Sequence, residues 1–407
     1  MALATLALLL ALANVLATHA GSPPARPAPK AVSGSWNSKA AAAYLDQRAA
    51  YWQTWPLAAR DHGTFCISCH TAAPYALARP ALRSMLHETA PSEDERKLLE
   101  NVTERVRFWD EVKPFYNDEK SGPHKTPEAR GTEAILNALI LARYDAASQS
   151  AASHGVASGG APSGQPSSDT RLAFANMWAL QLTSGDDAGS WDWLDFKNEP
   201  WEGPSSHYYG AALAALAVGT APGNYHSSPE IQPGLKSLCA YLQRDLDTQT
   251  PINQAMVLWA SSRLPELLTD SQKQSIAHEL IAQQHEDGGW ALATLVGGWK
   301  RKDSTPLEVR SDGYATGLVT LALEQSDGHE PGANGEPGAT KNDSTPNHDA
   351  SVKHGLQWLA HNQDPATGYW RSYSLNKERD PSNQAWPFMN DAATAYAVLA
   401  LTQNNSR

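Results

Sequence analysis

Cys66-Ile67-Ser68-Cys69-His70 sets two thiols three residues apart, with an imidazole immediately after the second. Two thiols at that spacing can each join one vinyl group of a single haem, and the adjoining imidazole then reaches the iron from the same side. The pentad uses two of only three cysteines in the chain, which makes a chance match less expected than in a cysteine-rich protein. The same residues suit two other chemistries. One is a Cys66–Cys69 dithiol or disulfide, with a helix-start position lowering the thiol pKa and His70 assisting. The other is a Cys2His metal site, although zinc usually takes four ligands and only three lie here. The expected cofactor is haem c, attached by Cys66 and Cys69, with His70 as proximal iron ligand.

The sixth ligand is less well marked. Met85 would lie about 20 Å along the helix that His70 opens, too far to reach the opposite haem face. His62, His124, His207 and Met389 remain, and His207, beside Tyr208-Tyr209, is the preferred distal candidate. An open sixth position would suit ligand binding or peroxide chemistry, and a filled one electron transfer to a redox partner. In the stretch after His70, Tyr75 and Arg79 are four residues apart on one helical face, where Arg79 could pair with a haem propionate.

Covalent haem attachment belongs to an exported protein, and the N-terminus agrees. Residues 2–17 are an apolar run of mostly Ala and Leu, followed by Thr18-His19-Ala20, a small-residue pattern that fits cleavage after Ala20. The run carries no Lys or Arg ahead of it and is short of the roughly 20 residues of a membrane span. Membrane association is therefore expected only if this leader is left uncleaved. The expected location is periplasmic or extracellular, in a bacterium. Charges of 32 basic and 43 acidic residues, with no Lys/Arg block, argue against a nucleic-acid partner. Cys239 sits in an apolar helical pattern and reads as a small buried hydrophobe.

The rest of the chain must position the pentad. Residues 21–35 read as a linker, and segments near 148–168 and 328–348 as Gly-, Ser- and Pro-rich insertions; residues 36–407 form one helical domain. Its helices recur in about six pairs, a polar amphipathic helix followed by one rich in Ala, Leu and Gly. Three pairs have a Gly-x-aromatic turn between them: Gly189-Ser190-Trp191, Gly288-Gly289-Trp290 and Gly368-Tyr369-Trp370. The Ala-rich members are expected over Ala72–Met85, Glu133–Tyr144, His207–Val218, Asn253–Leu264, Asp312–Leu323 and Asp391–Leu401. The expected fold is all-α, a closed α/α arrangement of about six hairpins, because neither terminal pair looks like the polar cap that an open repeat needs.

Gln284–Trp290 and Gln363–Trp370 resemble the QW repeats of squalene–hopene cyclases, and the whole pattern resembles the α/α toroid of terpenoid cyclases and protein prenyltransferases. In that family the Gln and Trp are structural. The resemblance implies a central cavity able to take a small apolar ligand. It does not extend to the family's catalytic motifs: no Asp-x-Asp-Asp run exists, and Asp186-Asp187 reads as a solvated turn. The family's zinc-binding Asp-x-Cys element is missing at Cys239.

Aligning the six hairpins puts His70, Glu133, His207, Asn253, Asp312 and Asp391 at the starts of the Ala-rich helices, around one mouth of the cavity. Asn253, Asp312 and Asp391 suit helix capping. An alternative function follows from the same positions: an enzyme acting on a lipid, terpenoid or carbohydrate, with Glu133, Asp312 and Asp391 as cavity acids. A non-catalytic binding scaffold is the third reading.

Overall fold

The computed structural model describes residues 36–153, 164–326 and 348–403, all within the compact unit Ser35–Arg407. The expected leader and linker lie outside the described residues, as do most of the two low-complexity insertions. Among the described residues the fold is all-helical, with thirteen α-helices and only isolated bridges at Ala59–Phe65 and Asn198–Glu202. No described helix is long and apolar enough to cross a membrane.

Twelve helices make six pairs. The half-exposed members are α1 (Ser38–Thr54), α3 (Glu93–Arg107), α5 (Ser168–Ala179), α7 (Gln232–Arg244), α9 (Asp270–Ala282) and α11 (His348–Asn362). The apolar members are α2 (Ala72–Met85), α4 (Lys125–Ser153), α6 (Ser206–Thr220), α8 (Pro251–Ser261), α10 (Gly313–Ser326) and α12 (Phe388–Gln403). Runs of Ala, Leu and Gly with no polar face can be stable only when covered on all sides. In α6 every residue from Tyr208 to Val218 is buried. Each fully covered Leu or Tyr contributes about 1.5–3 kcal/mol.

Small residues let these helices approach closely. A Cβ on Gly317 of α10 would stand 2.6 Å from the Ala397 backbone nitrogen of α12, so any larger side chain would push the two helices apart. The apolar helices pack in succession, α2 on α4, α4 on α6, α6 on α8, α8 on α10 and α10 on α12, and α12 packs on α2. The half-exposed helices lie against them, α1 touching both α2 and α12.

The Gln-Gly-Trp turns repeat one set of bonds. Gln284 Nε2 donates to the carbonyls of Gly288 (2.8 Å) and Ser351 of α11 (2.9 Å). Gln181 does the same to Gly189 and Gly234 of α7, both at 2.9 Å. Gln363 donates to Gly368 (2.8 Å) and to Asn37 (3.0 Å), whose own N–H it accepts at 2.6 Å. Each Trp donates its indole N–H back to the preceding helix: Trp191 to Met177, Trp290 to Leu280, Trp370 to Leu359. Gly368 adopts φ +83°, and a Cβ there would meet the Ala40 backbone at 2.4 Å, so the turn demands glycine twice over.

Two expectations about boundaries change. Glu133 lies inside α4, since the helix starts at Lys125, where Pro127 suits a first turn. The same helix runs on through residues 148–153, which the composition alone had marked as insertion.

Candidate functional site

The pentad lies in the connection between α1 and α2, and both neighbouring helices pin it. Trp52 of α1 donates its indole N–H to the Cys66 carbonyl at 2.6 Å. Asn101 of α3 brackets Phe65, accepting from its N–H at 2.7 Å and donating to its carbonyl at 3.1 Å. Cys66 N–H donates to the Ala58 carbonyl. The backbone then turns at Cys69-His70-Thr71, and Ser68 Oγ caps α2 by accepting from the N–H groups of Thr71 (3.2 Å) and Ala72 (3.0 Å).

His70 is held on several sides. Phe388 stacks on its ring at 3.9 Å between centroids and 15° between planes. Trp52 meets it edge-on at 4.9 Å, and Trp201 lies 5.9 Å away. Nδ1 is 2.8 Å from Thr71 Oγ, and the Thr71 hydroxyl is 2.6 Å from Oδ2 of Asp391. Burial pushes the Asp391 carboxyl up and the Arg48 guanidinium pulls it down. With Asp391 ionised by that ion pair, it takes the Thr71 hydroxyl proton, Thr71 Oγ accepts from His70, and the ring proton is assigned to Nδ1. Nε2 is left with its lone pair and makes no hydrogen bond among the described residues. Burial, followed by the cations Arg48 and Arg379, pushes the imidazole pKa down to about 3, so the ring is neutral, as a metal ligand must be.

Asp391 anchors this relay. It lies in the first turn of α12 and is 1% exposed. Oδ1 accepts from Tyr44 Oη and from Arg48 Nε, both at 2.8 Å. Tyr44, Arg48 and Trp52 follow at helical spacing on α1, with Trp55 at its C-cap, so one face of that helix supplies one side of the wall.

The thiols of Cys66 and Cys69 are free and buried, at 6% and 5% exposure. Burial pushes the Cys66 thiol up to about 12, and Cys69 rises well above its ordinary value for the same reason, with Glu202 adding to both. This overturns the expectation of thiols activated by a helix start: the pair precedes α2 in an extended, apolar segment. No group of three or more His, Cys, Asp or Glu side chains among the described residues is placed to hold a metal ion.

Arg79 is unavailable for a propionate. It is 2% exposed and committed to Asp46 (2.9 and 3.2 Å) and Glu88 (2.6 Å), with Tyr75 donating to the same Asp46. The sixth-ligand candidates are scattered. His62 lies in an exposed turn against Phe108, and His124 is exposed just before α4. Met389 is buried beside Phe388. His207, in the first turn of α6, has a buried Nδ1 without a partner, but the rings packed on His70 belong to other residues.

The three acids of the enzymatic alternative are each consumed locally. Glu133 is fully buried and paired with Arg105 at 2.5 and 3.1 Å. Asp312 precedes α10 and caps it, accepting from the N–H groups of Tyr314 (2.9 Å) and Ala315 (3.2 Å). It accepts also from Leu292 N–H (2.6 Å) and Ser372 Oγ (2.8 Å), while burial lifts its pKa to about 6. Asp391 serves the relay. Asn253 donates to Gln249 and to the Ser205 carbonyl from inside the first turn of α8.

Residues missed by sequence reasoning carry much of the site: Arg48, Trp52, Thr71 and Phe388. Phe388 could have been found, being one helical turn before Asp391. Glu199 and Glu202 were missed as well; burial lifts both to about 7. Further in, Trp201 donates to Tyr314 Oη at 3.1 Å, and Tyr314 stacks edge-on with Tyr396 at 5.1 Å, so interlocked aromatic rings line the interior beside Cys69. No protein-family model matches the chain, and no curated protein matches its sequence.

Proposed function

We propose that this is an exported c-type haem protein on an α/α-toroid scaffold, with one haem at the junction of the first hairpin and the last apolar helix. The toroid reading is supported by the contact of α12 with α2 and by the bond from Gln363 to Asn37, which joins the last turn to the first helix. The haem reading is carried by one observation: His70 bonds through Nδ1 to the Thr71 hydroxyl, which is itself bonded to Asp391, so Nε2 is the ring nitrogen without a partner in a pentad whose two thiols are free. A metal-ligating histidine needs its other ring nitrogen held by an acceptor that sets the tautomer, here the Thr71 hydroxyl backed by Asp391.

Cys66 and Cys69 would each add S–H across one vinyl group, sulfur bonding to the inner carbon and the proton going to the outer one, with no net change in oxidation state. His70 would donate from Nε2, its rotation fixed by Phe388 and Trp52. Thr71 and Asp391 hold the Nδ1 proton in place. Haem held by these residues would supply a one-electron couple and a site for a ligand, which suit electron transfer to a periplasmic partner or ligand binding. Because the folded chain buries both thiols, attachment has to precede closure of the first hairpin.

The mature protein, co-expressed with the cytochrome c maturation machinery, should give a c-type pyridine haemochrome spectrum and a mass increase of one haem. Cys66→Ala with Cys69→Ala should abolish both. A colourless wild-type protein under those conditions sinks the proposal.

A further inference from the structure

Beside His70 lies a set of donors with nothing to donate to. Arg48 spends Nε on Asp391, yet its Nη2 is buried without a hydrogen-bond partner. The guanidinium stands over the Tyr51 ring, 4.6 Å from its centroid, and Tyr51 Oη is likewise buried and unpartnered. Arg379, half-buried in the segment that leads to α12, makes no hydrogen bond or ion pair among the described residues. The neighbouring acids are already used: Asp391 by the relay, Asp46 by Arg79 and Tyr75. A buried donor left unsatisfied is costly, more so when it is charged. Arg48 Nη2 and the Tyr51 hydroxyl, side by side and buried without partners, therefore call for an acceptor from outside the chain, and Arg379 adds a half-buried cation with no acid paired to it among the described residues.

We infer that Arg48, Tyr51 and Arg379 form a clamp for the carboxylates of the group bound at His70, the two haem propionates, in the role that sequence reasoning gave to Arg79. The inference rests on the proposed function. Guanidinium–carboxylate pairs are short, directional and strong when partly buried. The planar side chains of Trp52, Trp55 and Phe388 pack together at 5.2–6.0 Å beside the same donors, which is the apolar wall that a macrocycle with two acidic edges requires. Arg48 and Tyr51 would hold the carboxylates from α1 and Arg379 from the segment before α12, while Cys66 and Cys69 would hold the vinyl carbons. Both Arg48 and Arg379 act electrostatically on the His70 imidazole. Their charge would disfavour the ferric state of a haem held there and raise its reduction potential.

Redox titration of the haem-loaded chain at fixed pH and salt tests this. Arg379→Gln breaks no bond in the fold, so it should fold normally by circular dichroism, keep its haem, and show a lower midpoint potential than wild type. Arg379→Lys should stay near wild type. Tyr51→Phe should give a smaller drop, and Arg310→Gln, at an exposed arginine over the Tyr373 ring, no drop. A wild-type chain that carries no haem overturns the proposed function and the clamp with it. A wild-type chain that carries haem, with Arg379→Gln at the same potential, overturns the clamp alone.

Discussion

Two buried arginine–carboxylate pairs anchor apolar helices of this fold, and they are built differently. Arg105 of α3 is fully buried and spends every arm: Nε and Nη2 on Glu133 of α4, Nη1 on Thr64, and Nη2 also on the Lys113 carbonyl. Glu133 in turn has no other side-chain partner. Arg48 spends Nε alone and leaves Nη2 buried and empty, while its carboxylate, Asp391, is shared with Tyr44 and Thr71. The first pair is a closed joint. The second has spare donors on the arginine side and passes its acid on to His70. Every arm of Arg105 has an acceptor within the fold, whereas Arg48 keeps a buried donor for which the described residues supply none.

The sharpest way to break this comparison is to cut both joints. Arg105→Met strands Glu133 in the interior and should cost about 3–5 kcal/mol in urea denaturation. Arg48→Met should cost less, about 1–3 kcal/mol, because Asp391 keeps Tyr44 and Thr71. Equal losses would show that Arg48 is as structural as Arg105 and that its free arm is incidental. The proposed haem adds a second axis: in a haem-loaded chain, at equal distance from its unfolding midpoint, the Arg105 variant should keep a wild-type potential, and the Arg48 variant should not.

The Gln-Gly-Trp turns give a neutral version of the closed joint. Gln363 holds three hydrogen bonds and Gln284 two, so Gln363→Ala should lose about 1–3 kcal/mol and Gln284→Ala somewhat less. Thermal unfolding of the two variants checks the order. Both should leave the visible spectrum of a haem-loaded protein unchanged, since neither glutamine touches the residues around His70.

What the residues disclosed before any coordinates depended on range. The Ala-rich helices are visible because their composition is local, and Ala72–Met85 has the expected bounds. The structural duty of Gln284 and Gln363 is what their resemblance to QW repeats implies, and both side chains hold turns to neighbouring segments. Arg79 was misread because Asp46, Glu88 and Glu95, which enclose it, come from α1, the following loop and α3. Only their convergence shows that its charge is taken. The thiol environment was misread because Trp52 and Asn101 draw the pentad into an extended, covered segment instead of a helix start. The support of His70 was beyond reach altogether: Thr71 and Asp391 are 320 residues apart in sequence, and no periodicity links them.

The smallest effect separates satisfied from unsatisfied acids and completes the comparison. Asp312 accepts four hydrogen bonds and still sits near pKa 6. Glu199 accepts none through its carboxylate, and burial, then Asp195, lifts it to about 7. An unfolded chain gives up this proton near pH 4.3, so between that pH and about 7 the native state holds a proton that the unfolded state has lost. The native state then binds more protons than the unfolded one, and stability falls as pH rises through the window. The part contributed by Glu199 is complete below about pH 4.3 and gone above about pH 7. Its size is on the order of 1–3 kcal/mol. Glu199→Gln, neutral at every pH, should remove that slope while leaving stability at pH 4 close to wild type, as read by urea unfolding at several pH values. A slope unchanged in the variant would assign it to Asp312 or Glu202 instead. A stability that rises with pH across the window would mean that Glu199 is ionised in the folded protein, held by a cation that the fold must then supply.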